Sequence, residues 1–274
     1  MRLMTADKMR PTHALIRGVR LSRAVLHIAE GLATTAVIFP FARRPLRVRL
    51  IRRWSRRLLG ILAVELDTSG HSDRFPARVL IVANHISWLD IFVLNAFQPS
   101  RFIAKSEIRR WPFLGLLVGS VGTIFLDRTK RRDVTGINAQ VEDALASGDV
   151  IALFPEGTTT FGRDLLPFHG SLIQPVIAAD GHIVPAAIRY MHADGSHSDA
   201  PSYVGDQSLL ASVRALLRAP RTRVRLHFCA PFPTAGLHRR EAAEHAHRII
   251  RTALELPGAG SGPGTHGDPP DAPR

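Results

Sequence analysis

Apolar and polar positions along this chain follow two rhythms. From about residue 65 onward, short apolar runs that read as buried strands are separated by stretches with helical spacing. Strands are expected at Val79–Ala83, Phe102–Ala104, Gly122–Leu126, Val150–Phe154, Ile183–Arg189 and Arg223–Cys229. Helices are expected at Ser87–Phe97, Phe113–Gly119, Arg132–Ser147, Leu172–Ala179, Gln207–Arg218 and Arg239–Leu256. This alternation predicts an α/β fold, a mostly parallel sheet flanked by helices in three layers. Met191–Gly205, with several His, Ser and Asp residues, fits neither rhythm and reads as an irregular loop.

Before residue 65 the pattern is different. Ala24 to Ala42 is mostly apolar, interrupted by His27, Glu30 and Pro40. Its length approaches that of a bilayer span, but a glutamate near its middle is costly in hydrocarbon. Leu46 to Val64 places Leu46, Leu50, Trp54, Leu58 and Ile61 on one helical face and Arg49, Arg52, Arg53, Arg56 and Arg57 on the other. That is the form of an interfacial amphipathic helix, its apolar side in the acyl region and its arginines on anionic headgroups. A buried core helix is the alternative for the first segment and nucleic-acid binding for the second.

Charge favours the membrane. The net charge is +13, and residues 1–60 hold fourteen Lys and Arg against Asp7 and Glu30. A basic extension on a nearly neutral body reads as an anchor to a polyanion. No nucleic-acid motif accompanies it, so membrane lipids rather than nucleic acid are the expected partner. The organisation expected is therefore a membrane-anchoring two-helix hairpin over 1–64, an α/β domain over 65–256, and a disordered Gly/Pro-rich tail over 257–274. No cleaved signal peptide is expected, since arginines flank the apolar stretch on both sides. The single Cys229 excludes an intramolecular disulfide framework and suits a reducing compartment. Its alternating flank, Arg223 to Phe228, points to a packed thiol.

Chemistry gathers at the strand ends. Val79–Ala83 runs into Asn84-His85-Ile86-Ser87-Trp88-Leu89-Asp90. A histidine at a strand's C-terminal end with a carboxylate five residues on has the parts of a general base and its orienting partner. Five residues on one continuous helix diverge by about 140°, so the two meet only if His85 lies on the turn and Asp90 in the first helical turn. Ser87 and Asp90 also have capping-box spacing, and Asp90 could instead cap the helix. Val150–Leu153 runs into Phe154-Pro155-Glu156-Gly157-Thr158, a turn able to hold a polar substrate group or merely to turn. Gly122 to Leu126 ends in Asp127-Arg128, and arginine suits bidentate contact with phosphate or carboxylate. Lys105-Ser106-Glu107 ends a fourth strand, followed by Trp111-Pro112-Phe113, which could line an acyl groove or pack a helix start. In a parallel sheet such ends share one edge.

These blocks resemble the glycerolipid acyltransferase family, of the 1-acyl-glycerol-3-phosphate acyltransferase type. Its N-H-x-x-x-x-D block is matched by Asn84-His85 through Asp90, its arginine block by Gly122 to Arg128, and its F-P-E-G-T block by Phe154 to Thr158. The short apolar strand with proline is matched by Ile183-Val184-Pro185-Ala186. Order and spacing fit over roughly residues 65–230. The resemblance implies transfer of a fatty acyl chain from a thioester to the free hydroxyl of a lysolipid. His85 would be the base and Asp90 its orienting partner. Arg128, Glu156, Gly157 and Thr158 would hold the acceptor's headgroup. Acyl-CoA or acyl-carrier protein would be the co-substrate, with no further cofactor, and the expected place is the cytoplasmic face of the inner membrane. Many members carry a basic residue directly after F-P-E-G-T, whereas this chain has Thr159 and then Thr160. Acylation of lyso-ornithine lipid or another lysophospholipid is therefore the alternative to 1-acyl-glycerol-3-phosphate.

Other classes fit less well. A lipid hydrolase lacks its G-x-S-x-G elbow. A non-catalytic basic membrane binder would leave the strand-end residues without a role. His192 with His197, or His245 with His247, match no metal-site spacing.

Overall fold

The computed structural model describes residues 11–70, 75–106, 109, 114–126 and 131–255. The expected disordered tail, residues 257–274, lies outside them. The elements run α1 (Ala14–Val37), α2 (Arg44–Ile61), β1 (Val64–Gly70), β2 (Val79–Ala83), α3 (Asp90–Phe97), β3 (Arg101–Lys105), α4 (Leu114–Ser120) and β4 (Ile124–Leu126). They continue with α5 (Arg131–Ala146), β5 (Ile151–Leu153), α6 (Gln174–Ala178), β6 (His182–Met191), α7 (Leu209–Arg218), β7 (Thr222–Phe228), β8 (Phe232–Pro233) and α8 (Arg239–Ala253).

The strands form one eight-stranded sheet in the order β1-β7-β6-β2-β5-β3-β4, with β8 pairing β6. β6, β2, β5, β3 and β4 are mutually parallel, and β7 and β8 run antiparallel to β6. The central strand β2 is buried along its whole length, which is why it is apolar throughout rather than alternating. Its side chains still divide by period two. Ile81 and Ala83 join a core roofed by Leu58 and Leu59 of α2, Val93 of α3 and Leu216 of α7. Leu80 and Val82 join the opposite core, under Val141 of α5, Ile173 and Val176 next to and in α6, and Ala246 of α8. The three-layer expectation holds.

β1 departs from expectation. The arginine-rich helix ends at Ile61, Ala63 takes a positive φ of 56°, and Val64 opens a strand paired in parallel with β7. Its sequence, VELDTSG, has only Val64 fully buried, so an edge strand of this kind carries almost no apolar signal.

The hairpin also differs in which face meets which neighbour. α2 turns its apolar side into the protein, where Leu58, Leu59 and Ile61 are buried and Arg56 Nε donates to Ala96 O at 2.7 Å. Helical periodicity records that a face is apolar but not whether protein or lipid covers it. α1 is clipped to α2 by a reciprocal pair, Trp54 Nε1 to His27 O and His27 Nε2 to Trp54 O, both 3.0 Å, with the rings stacked at 4.6 Å. Glu30, the residue out of place in a membrane span, accepts from Arg57 Nη1 at 2.9 and 3.0 Å. No helix among the described residues is long and apolar enough to cross a membrane.

Candidate active site

β2 ends at Ala83 and the chain turns through Asn84–Leu89 into α3. Asn84 ties this turn to β6, donating from its amide to Ile188 O (3.0 Å) and accepting from Ile188 N (2.7 Å). Side-chain bonds thus continue the ladder beyond its last backbone pair, Ala83 with Ala186.

His85 follows at the C-terminal edge of the sheet. Its ring lies flat on Phe154, centroids 4.0 Å apart and planes within 6°. Nδ1 is 2.8 Å from Asp90 Oδ2, and the side chain remains 20% exposed. Asp90 is the first residue of α3 and is fully buried. Its Oδ2 also accepts from Ile86 N (2.7 Å) and Ser87 N (2.9 Å), while Oδ1 accepts from the Tyr190 hydroxyl (2.8 Å). Asp90 orients the imidazole, and the same oxygen holds the N–H groups of the turn before α3, whose N-cap Leu89 has no side-chain cap bond. Because a carboxylate only accepts, the hydrogen sits on Nδ1 and the lone pair on Nε2, the tautomer a general base needs.

Ser87 does not carry a free hydroxyl. Fully buried, it donates to Pro201 O at 2.6 Å and accepts from Leu89 N at 3.2 Å, which fits a brace rather than a nucleophile.

The Phe154–Thr158 turn stands beside the Asn84–Leu89 turn. Gly157 takes a φ of +72° and its N–H donates to Phe154 O at 3.2 Å. Glu156 is 4% exposed, and its carboxylate faces inward. Oε1 accepts from His85 N at 2.7 Å and Oε2 from Leu166 N at 3.0 Å. Burial raises its pKa to about 7, outweighing the two N–H bonds, and the negative charges of Asp90 and Asp164 push the same way. Thr158 is exposed.

The loop expected at Met191–Gly205 is fastened onto this centre. Tyr203 N donates to Ile86 O (3.0 Å), Thr160 N to His85 O (2.9 Å), and the Thr159 hydroxyl to Tyr203 O. Gly162, at φ +72°, passes so close that a Cβ there would lie 2.5 Å from Ile86 Cδ1.

Arg128, Glu107 and Trp111–Phe113 lie outside the described residues. Asn84 and Tyr190 bond to this site although strand-end reading left them without a role. Tyr190, one of two tyrosines in the chain, sits past the predicted end of its strand, and its hydroxyl is the signal that a polar group is needed there. Burial and the neighbouring Asp90 raise its pKa well above the usual value, so it stays a donor. Among the described residues no three metal-ligating side chains converge.

A small apolar cavity opens between α1, α2 and α3, lined by Thr34, Phe39, Leu50, Trp54, Ile91 and Phe92 among others. An imidazole held in one tautomer by a buried carboxylate can take the proton of a hydroxyl.

A family model described as Acyltransferase matches residues 68–189. The chain is 40% identical over 210 residues to a lyso-ornithine lipid O-acyltransferase of Pseudomonas aeruginosa, covering 77% of this chain and 80% of that protein. It is 37% identical over 182 residues to a 1-acyl-sn-glycerol-3-phosphate acyltransferase of Neisseria meningitidis serogroup B, covering 66% and 71%. In fold it is similar to the crystal structure of the 1-acyl-sn-glycerophosphate acyltransferase of Thermotoga maritima, with a TM-score of 0.63 at 19% identity over 88% of this chain and 94% of that one.

Proposed function

The chain belongs to the acyltransferase family, and on that premise we propose that His85 and Asp90 transfer a fatty acyl group from a thioester to the free hydroxyl of a lysolipid. The observation that carries this is the 2.8 Å bond from His85 Nδ1 to the buried Asp90, with the His85 side chain still 20% exposed. In the reaction Nε2 takes the proton of the acceptor hydroxyl as its oxygen attacks the thioester carbonyl. The tetrahedral adduct then collapses, the C–S bond breaks, and the departing thiolate takes up the proton held by the imidazole. A thioester is already activated, so one base and accurate positioning suffice. Acyl-CoA or acyl-carrier protein is the donor, and the apolar cavity beside Ile91 suits an acyl chain.

The acceptor of the Neisseria relative, 1-acyl-glycerol-3-phosphate, is one reading of the substrate. Lyso-ornithine lipid is the second, supported by the greater coverage of the Pseudomonas relative and by Thr159 and Thr160 standing where a phosphate-binding cation would be expected. Thr158, exposed at the edge of the site, and Arg128 are the headgroup ligands proposed here. The seat is a membrane surface, on the cytoplasmic face. Leu15, Ile16, Val19 and Leu26 of α1 and Phe41 of the hairpin turn, the last 88% exposed, present apolar surface beside arginines.

The test is His85→Ala in purified protein, offered mixed acyl-CoAs and a panel of lysolipids. Loss of about 10²–10⁴-fold in rate is expected for a missing general base. A variant keeping most of its rate removes His85 from that role, and the preferred acceptor of the wild type decides between the two headgroups.

A further inference from the structure

The F-P-E-G-T carboxylate points into the protein. Glu156 is buried, and each of its oxygens is already bonded to a backbone N–H: His85 of the catalytic turn on one side and Leu166 on the other. Leu166 belongs to an irregular strap, residues 161–169. The strap is held elsewhere as well. His169 N donates to Pro155 O at 3.0 Å, and Leu165 O accepts from Arg251 Nη2 of α8 at 3.2 Å. Glu156 is therefore the bridge between the peptide that carries the base and a strap anchored to α8.

We propose that Glu156 is a positioning residue rather than a headgroup ligand, and that its ionised form assembles the catalytic turn by holding the His85 and Leu166 N–H groups at once. The reason is donor arithmetic. An ionised carboxylate accepts at both oxygens, but a neutral acid carries a hydroxyl that would face an N–H donor to donor. Uptake of one proton therefore releases either His85 or Leu166, and no other bond need break. The charged and titratable groups around it are His85 and Asp90 from the catalytic turn and α3, Asp164 from the strap, and His247 and Arg251 from α8, which reach Leu165 O. Two of these are carboxylates, and with burial they raise its pKa to about 7. The bridge thus switches near neutrality. This inference rests on His85 being the base, and its test separates the two ideas.

Glu156→Gln mimics the neutral acid, since an amide has one acceptor oxygen and one donor nitrogen. With acyl-CoA and a lysolipid panel, kcat should fall on the order of a hundredfold, as for a misplaced base, with KM and headgroup preference unchanged. A change in headgroup preference, or an undiminished kcat, overturns the proposal. In the wild type the acid limb of kcat/KM should carry a step near pH 7 from Glu156 that is absent in Glu156→Gln. Identical limbs overturn it. Hydrogen exchange of peptides 84–90 and 161–169, corrected for intrinsic rates, should show protection rising together through about pH 7 in the wild type. That measurement needs no variant, and flat protection sinks the idea. His85→Ala should keep the same exchange behaviour. If it instead keeps its activity, the base assignment fails while the bridge is still judged by exchange.

Discussion

The turn after β2 and the first helix of the hairpin lie in one molecule under opposite rules. At the turn the buried polar side chains are held by hydrogen bonds. Asp90 accepts four hydrogen bonds, Asn84 two-way pairs with Ile188, Ser87 is bonded twice, and Glu156 joins two loops. Along α1 the buried residues are Ala24, His27 and Gly31, and large apolar side chains face outward. The difference teaches where each function gets its free energy. A base must be held to within fractions of an ångström, so its surroundings are desolvated and saturated with bonds. A surface that meets lipid must remain uncovered until lipid arrives.

The largest way to break the contrast is at its centre. Asp90→Ala strips acceptors from four donors in a buried site and should destabilise the fold by roughly 3–5 kcal/mol, read by urea unfolding. Asp90→Asn, which removes the forced tautomer, should leave a folded protein with activity lowered on the order of a thousandfold.

Glu156 sharpens the comparison by opposing activity to stability. Its native pKa of about 7 against an ordinary 4.5 means that the native state retains a proton the unfolded chain releases. That stabilising difference is complete below about pH 4.5 and is lost as pH rises through about 7, by about 3 kcal/mol in all. Unfolding midpoints of wild type minus Glu156→Gln should therefore decline between pH 5 and 7.5. A rising difference would show that the carboxylate stabilises the fold.

At the other region, replacing Leu15, Ile16 and Val19 together by Ser should leave stability within about 0.5 kcal/mol. The same change should weaken binding to anionic vesicles on the order of a hundredfold, from lost apolar burial. Unaltered vesicle binding would place the lipid surface elsewhere. The smallest effect is expected at Tyr190→Phe, which removes one charge-assisted bond to Asp90 and should cost about 1–3 kcal/mol with a modest loss of rate.

The His85–Asp90 pair was legible because it depends on local spacing. Five residues across a strand-to-helix turn place a carboxylate against an imidazole whatever surrounds them. The inner strands were legible for a related reason: burial on both faces writes a continuous apolar run. β1 was not, since Glu65, Asp67 and Thr68 face solvent along an edge and leave only Val64 and Leu66 as signal. The orientation of Glu156 was not either, because its partner Leu166 belongs to a strap set by contacts with α8.

Local order along the chain determined the alternating α/β architecture, the His85–Asp90 pair and the strand end on which it sits, since all three follow from periodicity and short separations. Only the tertiary structure decided that Glu156 turns inward to the His85 peptide, that Tyr190 completes the Asp90 shell from a distant strand, and that α1 rather than α2 offers its apolar face outward. Those outcomes depend on which surfaces meet in space, and hydrophobicity along a sequence records that a face must be covered without recording what covers it.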